Sequence, residues 1–149
     1  MAFQSSLHML ASIAGAIDPS RYIHTIFKPT NVYVLELVGG KYYVGTTSNI
    51  GIRYQQHIDG QGSAWTRKYH PINLLKIYQN TSPFDEDRIT KEYMAVYGID
   101  AVRGGSYVKI QLSSETKQNI QREIQGAFAL CLRCGSPGHF IRNCPEDRK

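Results

Sequence analysis

Residues 31–47, NVYVLELVGGKYYVGTT, decide the fold. Two runs rich in Val, Tyr and Thr flank Gly39-Gly40, and β-branched and aromatic residues on both sides of a glycine turn predict a β-hairpin. Just downstream, Thr46-Thr47-Ser48-Asn49 offers side-chain caps for a helix over IGIRYQQHI that stops near Gly60. Arg53 and His57 are four residues apart on that helix and so share a face. The loop HIDGQGSAWTRKYHP then leads to INLLKIY, which reads as a third strand.

Further out, a helix is expected after Pro83, with Asp85, Glu86 and Asp87 favouring its N-terminus and Gly98 stopping it beyond ITKEYMAVY. AVRGGSY turns the chain into VKIQL, expected as a short edge strand. SSETKQNIQREIQGAFAL reads as a last helix, capped by Ser113 or Ser114 and ended by Gly126. The expectation is an α+β fold, a small antiparallel β-sheet flanked by helices, with a C-terminal helical linker and a metal-stapled tail. Its boundaries are an N-terminal extension at 1–30, a main domain at 31–112, the linker at 113–130 and the tail from 131 to 149.

In that tail Cys131, Cys134, His139 and Cys144 are spaced C-x2-C-x4-H-x4-C and use every cysteine in the chain. Three thiolates and an imidazole are the tetrahedral soft-ligand set of structural Zn2+, with no position left open for a catalytic water. The alternative, three unrelated thiols, leaves this complete spacing unexplained. An odd cysteine count argues against disulfides, so a reducing, intracellular setting is expected, nuclear or cytoplasmic. CLRCGSPGHFIRNC resembles a retroviral-type zinc knuckle, which implies a grip on single-stranded or flexible nucleic acid. Phe140 is then the candidate for base stacking, with Arg133 and Arg142 for phosphate.

The net charge of +5 is uneven: residues 103–149 hold 8 Lys/Arg against 4 Asp/Glu, leaving 9 against 8 for residues 1–102. A basic tail suits a polyanion. No apolar run reaches the roughly 20 residues that span a bilayer, so no membrane association is expected. The stretch LHMLASIAGAI lacks a preceding Lys or Arg, unlike a signal peptide. It is expected to cover the main domain or to hold a protein partner.

Within residues 31 to about 105, an ordered set stands out: Asn31-Val32-Tyr33, Tyr43-Val44-Gly45, Arg53, His57 and Glu92. This set resembles the GIY-YIG nuclease family, with Asn31 in place of the first signature's glycine. The resemblance implies an endonuclease that uses Mg2+ or Mn2+. Magnesium keeps several waters and takes few protein ligands, so one carboxylate can hold it, and Glu92 in the middle of the helix is the expected metal ligand. Arg53 offers a planar fork of donors to the scissile phosphate. Tyr33 is expected to orient or deprotonate the attacking water, Tyr43 to position water or phosphate, and His57 to contact phosphate or carry a proton. DNA is the expected substrate, branched or single-stranded, with RNA as the alternative. Trp65, Arg67, Lys68 and His70 mix an aromatic with cations and suit an unstacked strand, although Trp65 equally suits a core. Arg103 either contacts nucleic acid or pairs with Asp100. The resemblance has gaps, since many members carry an Asn after the metal-binding Glu and GIDAVRGG has none. A non-catalytic nucleic-acid-binding protein and a partner-activated nuclease subunit are the competing readings.

Overall fold

The computed structural model describes residues 18–20 and 28–148. Most of the N-terminal extension, with its proposed partner surface, lies outside the described residues. The hairpin forms as the sequence expects: β1 (Thr30–Leu37) runs antiparallel to β2 (Lys41–Thr47), with Tyr33 opposite Gly45 and Leu35 opposite Tyr43. Gly39 and Gly40 turn it with φ of 80° and 67°, values that a side chain disfavours.

Helix α1 (Ile50–Ile58) follows, its first turn capped by the Asn49 side chain, which accepts from the Ile52 amide. The segment expected as a loop contains a short helix, α2 (Ala64–Lys68), started by Ser63, whose hydroxyl accepts from the Thr66 amide. β3 (Pro71–Thr81) pairs antiparallel with the other edge of β1. Helix α3 (Asp85–Tyr97) carries its three acids in the first turn, where the helix dipole favours them.

The edge strand differs from expectation. β4 is Val102–Gly104, and it pairs parallel to β2, giving a mixed sheet of order β3-β1-β2-β4. Residues 108–112 form no strand because the Lys109 and Ile110 carbonyls turn inward to accept from the Arg103 guanidinium instead of a neighbouring strand. Helix α4 (Ser114–Ala127) is capped by Ser113, and an ion pair from Lys91 to Glu123 ties it to α3.

The sheet has two different faces. Val32, Val34, Val44 and Val102 pack with Ile89, Met94 and Ile120 in one apolar core. Tyr33, Leu35, Leu37 and Tyr43 face the opposite way and pack around Trp65 of α2. The alternation of β1 and β2 therefore sends the hairpin tyrosines into a second, smaller and more polar core, and the candidate site is built there. No helix among the described residues is long and apolar enough to cross a membrane.

Candidate active site and zinc knuckle

Tyr33 is fully buried, and its hydroxyl is the hub of a hydrogen-bonded chain. His57 Nε2 lies 2.8 Å from it and Arg53 Nε donates to it at 3.2 Å. Both partners come from one face of α1, as their four-residue spacing requires. On the far side of the imidazole, His57 Nδ1 lies 2.8 Å from Thr66 Oγ1, and Thr66 Oγ1 donates to the Ser63 carbonyl at 3.1 Å. A hydroxyl has one proton, so Thr66 accepts from Nδ1–H. That tautomer leaves Nε2 as an acceptor and makes the Tyr33 O–H the donor. The network is a directed relay, Tyr33 to His57 to Thr66, with a guanidinium at its head.

Gly45 is required beside it, because a Cβ there would overlap the Tyr33 hydroxyl. Tyr43 completes the pair with ring centroids 6.3 Å apart. Burial raises the Tyr33 and Tyr43 pKa values above the ordinary phenol range, and Arg53 opposes the rise. His57 is pushed down to about 4, first by burial and then by Arg53. At neutral pH the relay therefore holds a protonated phenol and a neutral imidazole.

This shift has a consequence for stability. The folded-state pKa of about 4 lies below the ordinary 6.5, so the unfolded chain takes up the proton first as pH falls. Stability is complete above about pH 6.5 and declines down to about pH 4, by up to ~3 kcal/mol at 1.36 kcal/mol per pH unit. Urea unfolding of the unaltered protein should show that slope, and His57→Gln should flatten it. An equal slope in both proteins would show that His57 is not its source.

Glu92, the carboxylate the sequence points to, does not join this cluster. Glu92 is exposed on the outer side of α3, paired with Arg88 at 2.6 Å, and lines a groove with Phe84, Val96 and Phe128 that contains none of the tyrosines. The expectation for Glu92 is corrected by helical phase. Ile89, Thr90 and Met94 are the buried residues of α3, and Glu92 falls between them on the turn that faces away. Glu86, one turn before Thr90, is half-buried, and its charge adds a small upward push to the Tyr33 and Tyr43 pKa values, behind the larger effect of burial. Burial raises its own pKa, countered by a hydrogen bond from the Gly105 amide. Asp87 beside it accepts from the Ser106 amide and hydroxyl, both at 2.7 Å, which pins the first turn of α3 to the loop after β4. Among the described residues, no cation lies within salt-bridge distance of Glu86. A half-buried carboxylate without a cationic partner is a donor that suits a hydrated divalent cation.

Two residues expected at a nucleic-acid surface belong to the core. Trp65 is 2% exposed and its Nε1 donates to the Tyr42 carbonyl at 3.0 Å. Arg103, also 2% exposed, does not pair with Asp100 in a salt bridge; it donates to the carbonyls of Ile99, Val102, Lys109 and Ile110 and lies over the Trp65 ring. Arg67, Lys68 and His70 are exposed, with Arg67 donating to the Gly62 carbonyl. Sequence reading missed Glu86 and also Ser63 and Thr66, whose cap pattern S-x-x-T carried the signal for α2.

In the tail, the Cys131, Cys134 and Cys144 sulfurs and a His139 ring nitrogen lie within 4.8 Å of one another. Backbone amides, chiefly those of Cys134 and Ser136, hold the Cys131 and Cys134 thiols below their ordinary range. The donor set and spacing fit Zn2+. Phe140 is 68% exposed and Arg133 and Arg142 also face outward, so the surface expected for stacking and phosphate is open.

The chain matches the GIY-YIG catalytic domain over residues 29–94 and a zinc knuckle over residues 130–146. A UPF0213 protein of Xanthomonas axonopodis pv. citri is 38% identical over 48 residues, 32% of this chain and 47% of that one. A UPF0213 protein of Autographa californica nuclear polyhedrosis virus is 39% identical over 54 residues, 36% of this chain and 50% of the relative. The chain thus spans about half the length of several curated relatives it matches. No solved structure matches it. A UPF0213 protein of Halobacterium salinarum is 34% identical over 65 residues, 42% of this chain and 79% of the relative. The paired tyrosines, the arginine helix and these matches together show that the chain belongs to the GIY-YIG family, with a zinc knuckle behind the family's domain.

Proposed function

We propose that the protein is a divalent-metal-dependent endonuclease that hydrolyses phosphodiester bonds in DNA, with a preference for branched or partly single-stranded substrates. The observation that carries this reading is the convergence of Tyr33, Tyr43, Arg53 and His57 on the Tyr33 side of the hairpin, and Glu86 is the carboxylate whose charge acts on both phenols.

Arg53 neutralises charge on the scissile phosphate while keeping the Tyr33 oxygen oriented. Tyr33 takes a proton from the attacking water as it passes its own to His57 Nε2, so no free phenolate is needed despite the raised pKa. The bound phosphate supplies negative charge that offsets the part of the His57 shift due to Arg53 and so raises the basicity of the imidazole. Thr66 keeps the imidazole in the accepting tautomer. Glu86 would hold Mg2+ or Mn2+, which supplies Lewis-acid stabilisation of the phosphoryl oxygens and the leaving oxygen.

Purified protein with labelled linear, flap and junction DNA, with and without Mg2+ or Mn2+, tests the reading. Metal-dependent cutting is expected, fastest on flap or junction DNA. Absence of cutting on every substrate would favour the non-catalytic binding protein.

The knuckle is assigned the separate task of holding the flexible part of the substrate. It has no apolar core of its own and depends on zinc. Cys134→Ser is therefore expected to unfold the tail and weaken DNA binding about 10-fold or more, while metal-dependent cutting persists at saturating DNA. Loss of all cutting at saturation would show that the two parts act as one.

A further inference from the structure

A second concavity of about 460 Å³ lies beside β4, away from the Tyr33 relay. Lys41, Lys68 and Lys117 line it, together with Tyr69, Asp100 and the buried Arg103. The Arg103 hydrogen bonds all go to main-chain carbonyls, which satisfy its donors without neutralising its charge. Asp100 is the acid in the pocket, and Lys117 already engages it at 2.6 Å. Among the described residues, Lys41 and Lys68 have no carboxylate within salt-bridge distance. Both ammonium groups instead stand over the Tyr69 ring, 5.6 and 5.4 Å from its centroid. The pocket therefore carries an uncompensated positive charge around an aromatic face.

Its position links it to the candidate site. Lys41 lies two residues before Tyr43 on β2, so their side chains share a sheet face about 7 Å apart along the strand. Arg103 is the cross-strand partner of Tyr43. We propose that this pocket is a subsite for the nucleic-acid strand next to the scissile bond, with Lys41 and Lys68 on a backbone phosphate and the Tyr69 face toward the neighbouring nucleoside. The inference rests on the nuclease reading for its orientation, while the binding itself can be tested without any cleavage.

Trp65 is the single tryptophan of the chain and lines the pocket, so its emission reports occupancy there and not at the knuckle. Full-length zinc-loaded protein is titrated with a single-stranded oligonucleotide at several salt concentrations, without added Mg2+ or Mn2+. A saturable change in Trp65 emission is expected. Lys41→Ala combined with Lys68→Ala should weaken the binding it reports about 10-fold and flatten the log–log salt dependence by about 1.4, at 0.7 for each phosphate contact. Lys76→Ala, a charge loss on β3, should change neither. No change in Trp65 emission would overturn the subsite, as would an equal effect of Lys76→Ala. Equal occupancy by a deoxynucleoside monophosphate would overturn its assignment to a strand. If the unaltered protein cuts no DNA but the lysine pair still controls Trp65 emission, the nuclease reading fails and the pocket stands.

Discussion

Glu86→Gln is expected to lower DNA cleavage about 100- to 1000-fold at saturating metal and DNA, whereas Glu92→Gln stays within about 2-fold of the unaltered protein. The contrast follows from the two faces of α3. Glu86 is half-buried without a cationic partner and its charge acts on both site tyrosines, whereas Glu92 is exposed and spent on Arg88. Removing the Glu86 charge relieves the cost of burying an unpaired carboxylate, so thermal stability should hold or rise as activity falls. That combination separates loss of chemistry from loss of fold. Equal activity of the Glu86 variant and the unaltered protein would return the metal question to another residue.

Arg53→Lys is the second large effect. Arg53 directs Nε at the Tyr33 hydroxyl at 3.2 Å and Nη1 at Gln56 at 2.9 Å, and its charge lowers the pKa values of both phenols. A lysine keeps the charge but cannot hold a tyrosine and present a planar fork to phosphate together. Turnover is expected to fall about 100-fold, with a smaller change in the DNA concentration at half-saturation. A pure weakening of binding with normal turnover would make Arg53 a docking residue outside the chemistry.

The parts of the fold that sequence reading reached were those encoded locally. The hairpin, α1, α3 and α4 each carry their own start and stop signals, such as Gly39-Gly40, Asn49, the acids at 85–87, Ser113 and Gly98. β4 carries none, because three residues ending at Gly104 become a strand only by pairing with β2. VKIQL has the composition of a strand, but its carbonyls answer a longer-range demand from the buried Arg103. The same limit applies to charge. A basic residue in a Gly-rich loop reads as a phosphate contact until Trp65 and four carbonyls are seen around it.

For the candidate site, the residues on β1, β2 and α1 were legible through the ordered set that resembles the GIY-YIG family, and the four-residue spacing of Arg53 and His57 puts those two on one helix face. The carboxylate required the phase of α3 against the sheet. Ile89, Thr90 and Met94 fix that phase, and Glu86, three and four residues before Ile89 and Thr90, falls on their side of the helix. Thr66 was hidden for a different reason. Its role lies in the direction of one proton, which depends on the Ser63 carbonyl lying within reach of its hydroxyl.

In the proposed mechanism Glu86 is the carboxylate of a metal-dependent site built on Tyr33, Arg53 and His57. Titration of the zinc-loaded protein with Mn2+, followed by electron paramagnetic resonance, measures it without reference to turnover. The thiolate-rich knuckle is a poor home for Mn2+, which prefers oxygen ligands. One weak Mn2+ site is expected, lost in Glu86→Gln and retained in Glu92→Gln. Retention of that site in Glu86→Gln, or its loss in Glu92→Gln, would assign the metal to a residue other than Glu86.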